Sequence, residues 1–313
     1  MSFNIHPFTL RQLQYLVAVA DLRSFRGAAD RCHVSQPSLS AQVAQCEDLL
    51  GIQLFERDRR SVKLTAAGEP LIARMREILL ASDDLVEMAR GLSDPLSGIL
   101  RLGIIPTVGP YLLPEIAPVL RVTFPRIEVR WLEDKTPSLV AALAKGDLDA
   151  AIVALEADLG DVDYMALGRD AFVFAASPDH PLAGAKRKIR IEELEGQSVL
   201  LLDDGHCFRD QAIAACGTTA IAEASYRATS LQTLVQMVAQ GHSVTLLPGL
   251  ALGVENRRQD LRIRRFAGKP PTRTIALVWR RRAAREVTYR AIGEALTDAF
   301  PKAAELAEAA ISE

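Results

Sequence analysis

Apolar residues in the N-terminal third recur at steps of three and four, the period of helices that bury one face. Leu10, Leu13, Leu16, Val17 and Ala20 line one face over 9–20, and Phe25, Ala28 and Ala29 turn inward in a short second helix that opens at Ser24. Ser35 suits an N-cap and Pro37 a first turn, where its missing N–H costs nothing, so a third helix is predicted from there to Leu50, with Gly51 ending it. That helix buries Leu39, Val43, Cys46 and Leu50 and turns Gln36, Ser38, Gln42 and Gln45 outward. The arginine-rich stretch 54–64 reads as a two-stranded wing. From Thr65 a long helix carries Ile72, Met75, Leu79, Ser82, Val86 and Ala89 in alternating steps of three and four, a heptad seam suited to a short coiled coil. A helix packed on its own domain shows the same pattern. Ser93-Asp94-Pro95-Leu96-Ser97-Gly98 then breaks the helix as a hinge would.

Beyond Ile99 the pattern becomes α/β. Strands are predicted at 99–105, 127–132, 148–154, 172–176, 198–202, 243–247 and 274–279, and helices at 111–123, 137–145, 231–240 and 287–300. Such alternation implies largely parallel sheets covered on both faces. A break near 165–170 and a return strand near 274 predict two lobes, 99–168 with 274–300 and 169–273, and a crevice between them. Ligands of open α/β sheets bind beyond the carboxyl ends of strands. Thr107, Thr136 and the His206-Cys207 pair all fall at such ends. Each threonine alone reads more readily as a cap or loop residue; their shared position proposes one small polar pocket.

Composition narrows the classes. The 313 residues allow two or more domains, and half of them (49 %) are hydrophobic without any run long enough to span a membrane. A soluble, cytoplasmic protein is expected. Four cysteines are too few and scattered for a secreted disulfide scaffold, no Cys or His pair has zinc-ligand spacing, and no glycine-rich phosphate loop occurs. The net charge of −2 gives no global attraction to nucleic acid, so any DNA binding must be local.

Two constellations carry chemistry. Residues 25–50 have helix–turn–helix order, in which the second helix enters the major groove. Ser35, Gln36, Pro37, Ser38, Ser40 and Gln42 stand at its N-terminal end, where glutamine reads adenine and serine either partner, and Arg57, Arg59 and Arg60 of the wing suit phosphates or a minor groove. A small helical domain without a ligand would look similar. The other constellation is Asp203-Asp204-Gly205-His206-Cys207-Phe208-Arg209-Asp210, with Cys216 following on the same predicted helix. Nine helical residues rise ~13.5 Å and turn the two sulfurs to opposite faces, whereas a disulfide needs Cα atoms within roughly 7 Å. The thiols therefore bond only if the segment unwinds. As plain buried hydrophobes they need no chemistry at all, and that alternative stands beside the redox one.

Ala28-Ala29, Val34-Ser35-Gln36-Pro37-Ser38-Leu39-Ser40 and Leu54-Phe55-Glu56-Arg57, in this order, resemble the LysR-type transcriptional regulators over essentially the full chain. Ile105-Pro106-Thr107-Val108-Gly109-Pro110, the Asp204–Cys207 block with Cys216, and Arg227-Ala228-Thr229-Ser230 resemble the peroxide-sensing members of that family. The resemblance implies a winged helix–turn–helix (1–64), a dimerising linker helix (65–92), a hinge (93–98) and a two-lobed periplasmic-binding-protein-like (type 2) regulatory domain (99–313), assembled as a dimer of dimers. It implies double-stranded promoter DNA and RNA polymerase as partners, no membrane, no metal, and no cofactor besides hydrogen peroxide as signal. It also implies roles: Cys207 as peroxidatic thiolate, Cys216 as resolving thiol in a Cys207–Cys216 disulfide, and Thr107, Thr136, His206, Asp210 and Arg273 around the peroxide. The expectation is a non-enzymatic regulator of antioxidant genes. Its rivals are a sister regulator with a small organic effector, a thiol peroxidase, and a metal sensor using Cys207 and His206.

Overall fold

The computed structural model describes residues 7–58, 61–91, 94–184, 187–216, 222–241, 243–258 and 260–312, and the chain divides after Ala89 into two compact units. In the first, α1 (Leu10–Leu22), α2 (Phe25–Arg31) and α3 (Gln36–Leu50) precede an antiparallel wing of β1 (Phe55–Asp58) and β2 (Ser61–Leu64). Side chains set the helix starts. Thr9 and Gln12 form a reciprocal capping box, Ser24 accepts from Gly27 N at 3.1 Å, and Ser35 accepts from Ser38 N at 3.3 Å. The apolar faces meet in one core of Leu16, Val19, Ala28, Leu39, Val43 and Cys46, closed by Leu54 and Phe55. Glu47 is buried, and its Oε1 accepts from Leu54 N (2.8 Å) and Phe55 N (3.1 Å), fixing where the wing begins.

Helix α4 (Gly68–Gly91) is capped from Thr65, where its pattern begins: Thr65 Oγ1 accepts from Gly68 N at 2.9 Å and its carbonyl from Glu69 N at 3.1 Å. Its seam divides. Ile72 and Met75 pack into the core of the first unit, whereas Val86 is 49 % exposed, beside Leu85 at 67 %. Part of the heptad pattern thus serves this unit's own core, and part is left on the surface.

The second unit holds β3 (Gly98–Ile104), α5 (Gly109–Thr123), β4 (Ile127–Glu133), α6 (Thr136–Lys145), β5 (Ala150–Ala154), β6 (Val162–Ala176), β7 (Ser198–Leu202), α7 (Cys207–Cys216), β8 (Ala222–Ala228), α8 (Leu231–Gln240), β9 (Val244–Pro248), α9 (Leu252–Glu255), β10 (Arg262–Arg264), β11 (Thr272–Arg280) and α10 (Glu286–Ser312). Among the described residues its nine strands run in the order β4-β3-β5-β11-β6-β9-β7-β8, with β10 on β6. The expectation of largely parallel sheets needs correction. β3 with β4 and β5, and β7 with β8 and β9, are parallel, but every junction made by β6 and β11 is antiparallel. Parallel βα repeats at each end are joined by two long strands that cross the middle.

Near 165–170, where a break is expected, β6 continues as strand with a bulge at 166–168 and then changes partner. Residues 162–171 of β6 pair β11, and 172–176 pair β9. Mixed exposure along 162–171 hides that half from a hydrophobicity pattern. Gly168 lies in it because α10 presses on the strand there; a Cβ would come 2.2 Å from the Phe300 ring. The predicted hinge is also anchored. Asp94 pairs Arg126 at 2.8 Å, Thr288 Oγ1 donates to Pro95 O at 2.6 Å, and Arg285 donates to Ser97 O and Ile99 O.

Candidate functional site

Helix α7 begins at Cys207, directly after a loop leaving β7. Gly205 permits the turn at φ +86°, and a Cβ there would stand 3.2 Å from Lys135 Cδ. Cys207 is buried, as are Phe208, Gln211 and Ala212, which complete one face of the helix. Asp210 falls on the exposed face, so the structure does not bring its carboxylate into this buried group. Cys216 ends α7 nine residues on, about 13.5 Å along a helix axis; its side chain lies outside the described residues. Cys32, Cys46 and Cys207 are free thiols. Burial pushes the Cys32 and Cys46 thiols up, away from the reactive thiolate.

Two loops from the other end of the sheet reach this segment. Thr107, after β3, is buried, and Arg273 of β11 donates to its hydroxyl (Nη1, 2.8 Å) and carbonyl (Nη2, 2.9 Å). Arg273 is wholly buried. Its charge is met by Asp170, its cross-strand partner on β6, at 2.8 Å, and its guanidinium lies 5.7 Å from the centre of the Phe208 ring. Thr107 is thus tied through Arg273 to the residue that follows Cys207. The other loop, after β4, carries Lys135 and Thr136. Lys135 Nζ donates to both carboxylate oxygens of Asp203 (3.0 Å each) and to Asp204 O (2.9 Å). Thr136 is buried at the start of α6, and its hydroxyl has no hydrogen-bond partner.

His206 is also buried. Its Nε2 stands 3.1 Å from Asp203 Oδ1 but is not aligned for a hydrogen bond, and the Thr229 backbone bonds the ring instead. Burial, then the Lys135 charge, lowers its pKa, outweighing the pull of Asp203 and Thr229. His206 is therefore a neutral imidazole with an open nitrogen. The linkage has a definite sign: with the folded pKa below the unfolded one, the unfolded chain takes up the proton first. This contribution to stability is complete above about pH 6.5 and is lost as pH falls toward the folded value. Lowering the pH from about 7.5 to about 5.5 should therefore lower the urea midpoint of the second unit, and by less in His206→Gln. Equal slopes in tryptophan-monitored unfolding would refute this assignment.

Thr107 and His206 line a crevice of 380 Å³ together with Pro106, Tyr111, Glu133 and Glu255. Tyr111 donates to Glu255 Oε1 at 2.8 Å across it, and burial followed by that carboxylate raises the phenol's pKa, keeping it a donor. Cys207, Thr136 and Arg273 do not line this space. Sequence reasoning missed Gln211, whose buried amide has no hydrogen-bond partner at either atom. The signal was available, since Gln211 stands four residues after Cys207 on the same helical face. It also missed Lys135 and Asp170. Among the described residues, no group of three or more His, Cys, Asp or Glu side chains could hold a metal, and no helix is long and apolar enough to cross a membrane.

On the first unit, Ser35, Gln36, Pro37 and Ser38 are exposed at the start of α3, while Ser40 and Gln42 are half-buried. Gln42 is engaged internally, its Oε1 accepting from Gln12 Nε2 at 2.9 Å. Arg57 belongs to β1, but its side chain, like Arg59 and Arg60 altogether, lies outside the described residues.

Two family models match the chain: bacterial regulatory helix-turn-helix protein, lysR family, over residues 10–69, and LysR substrate binding domain over 93–301. A hydrogen peroxide-inducible genes activator of Pectobacterium carotovorum subsp. carotovorum is 44 % identical over 272 residues, 87 % of this chain and 90 % of that one. The DNA-binding transcriptional dual regulator OxyR of Escherichia coli (strain K12) is 42 % identical over 288 residues, 92 % and 94 % of the two chains. Among solved structures, a full-length OxyR from Pseudomonas aeruginosa with a cysteine-to-aspartate substitution superposes with a TM-score of 0.75 at 36 % identity, covering 93 % and 95 %. A hydrogen peroxide-bound cysteine-to-serine mutant of Corynebacterium glutamicum OxyR gives 0.65 at 35 %, covering 98 % of each chain.

Proposed function

The chain belongs to the LysR family of bacterial helix–turn–helix regulators, and we propose that it reports hydrogen peroxide to promoter DNA in the cytoplasm. One observation carries the reading: Arg273-held Thr107 and the Lys135-Thr136 loop both converge on the segment that opens α7, where a buried free thiol stands beside a neutral histidine. His206 accepts the Cys207 proton. The sulfur attacks one peroxide oxygen, the O–O bond breaks, and the departing hydroxide takes the proton as water, leaving Cys207 as a sulfenic acid. The Cys216 thiol then attacks that sulfur, the S–O bond breaks, a second water leaves, and a disulfide remains. Thr107, Thr136 and Gln211 offer the polar groups that hold the peroxide.

The second step requires α7 to unwind. Two features favour that: α7 has only ten residues, too few to be stable alone, and it buries an unsatisfied Gln211 amide, a cost of about 1–3 kcal/mol. A helix with two accessible states is the element through which a local redox event reaches distant surfaces. We further propose that exposed Leu85 and Val86 of α4 pair with a second copy, that two such dimers assemble, and that RNA polymerase reads the altered complex at antioxidant genes. The domain division proposed is 1–64, 65–92, 93–98 and 99–313.

Thiol mapping by mass spectrometry, with DNA footprints from the same samples, tests the proposal. Stoichiometric peroxide should yield a Cys207–Cys216 disulfide and a changed footprint. The 380 Å³ crevice is large enough for a small organic ligand, and a metabolite-dependent footprint with thiols still free would establish that second reading instead.

A further inference from the structure

Lys135 reaches across to the loop ahead of Cys207 and makes three contacts there, at 3.0, 3.0 and 2.9 Å. Nothing in the proposed reaction yet uses it. Its position explains a contact that would otherwise be unfavourable. His206 Nε2 lies 3.1 Å from Asp203 Oδ1 without a hydrogen bond. The Thr229 backbone bonds the ring elsewhere, and Nε2 is left close beside a carboxylate that lies off its line of approach. Such a pair repels unless the carboxylate is neutralised from its other side or the imidazole gains a proton. Lys135 supplies the neutralisation. The same ammonium, by gripping Asp204 O, holds the backbone one residue before Gly205, against which its own stem packs.

We propose that Lys135 is a positioning residue for the peroxide reaction: it holds Asp203 and the Asp203–His206 loop so that His206 remains the proton acceptor for Cys207. This rests on the peroxide reading above. The other groups around His206 are accounted for. Asp204 is engaged by Arg227 at 2.8 Å and by Arg209 at 3.2 Å, while Tyr111 and Glu255 bond each other across the crevice. Glu133 lines that crevice as an exposed carboxylate and would add to the pull toward protonation if Lys135 were lost. Removing the ammonium takes away a repelling cation and frees an attracting anion, so both changes protonate His206 at higher pH.

The test is the pH profile of Cys207 oxidation by hydrogen peroxide in the full chain, followed by rapid quench and mass spectrometry. Lys135→Met should move the acid limb upward by about half to one pH unit, which slows the reaction by a factor that grows toward about three- to tenfold at the acid end of the profile and stays below about twofold near pH 8. Lys135→Arg should restore the wild-type profile. A merely structural lysine would scale the rate equally at every pH, and that outcome, or superimposable profiles, overturns the proposal alone. A wild-type Cys207 no faster with peroxide than Cys46 overturns the peroxide reading, and this inference with it.

Discussion

Replacing Cys207 with serine is expected to abolish the peroxide-driven change in DNA footprint, while the affinity of the reduced protein for DNA changes by less than about twofold. The substitution exchanges one sulfur for a smaller oxygen at the first residue of α7, where a hydroxyl also suits a helix start. The DNA-reading candidates stand on the first unit and Cys207 on the second. No remaining described thiol is suited to take over, since burial raises both Cys32 and Cys46. Cys216→Ser should behave differently. It retains the first step, so a sulfenic acid at Cys207 accumulates without a disulfide and is trapped by a dimedone-type reagent. Loss of reduced-state binding in Cys207→Ser would contradict this division of labour, and a persisting peroxide response would remove Cys207 from the mechanism.

Where local chemistry decides structure, the chain was readable from its residues. The first three helices carry their own caps in Thr9, Ser24 and Ser35, and β7 and α8 occur at the residues predicted, because each pairs a strong apolar pattern with clear breakers. The first half of β6 was not readable, since its side chains are half-exposed and its pairing with β11 joins residues about a hundred positions apart. The same limit hid part of the site. Asp170 matters only because that register sets it opposite Arg273, and Lys135 only because two loops distant in sequence meet. Thr107, Thr136, His206 and Cys207 could be proposed because strand ends are a recurrent location for ligands. Asp210 followed Cys207 in sequence, but helical rotation carries it to the exposed face, while Gln211, one residue later, is turned inward.

The largest stability effect should come from Arg273. Arg273→Met leaves the Asp170 carboxylate buried without its cation, and breaking one side of such a pair costs about 3–5 kcal/mol. Both tryptophans, Trp131 and Trp279, belong to the second unit, so their fluorescence reports its unfolding separately from the first. The urea midpoint of that transition should fall by more than about 1 M. Replacing both partners, as Arg273→Met with Asp170→Leu, should recover most of the loss, because an apolar pair of similar volume avoids the cost of burying charge. Its limit is the hydrogen bond that Leu250 N donates to Asp170 Oδ1 at 3.0 Å, which the double variant also removes. Peroxide reactivity should not follow stability. In both variants Thr107 loses the two hydrogen bonds that fix its hydroxyl and carbonyl, so Cys207 oxidation stays slow even where the fold is restored. A double variant that regained the wild-type rate would reduce Arg273 to a structural ion pair; one that regained stability alone would show that its charge is retained for where it holds Thr107.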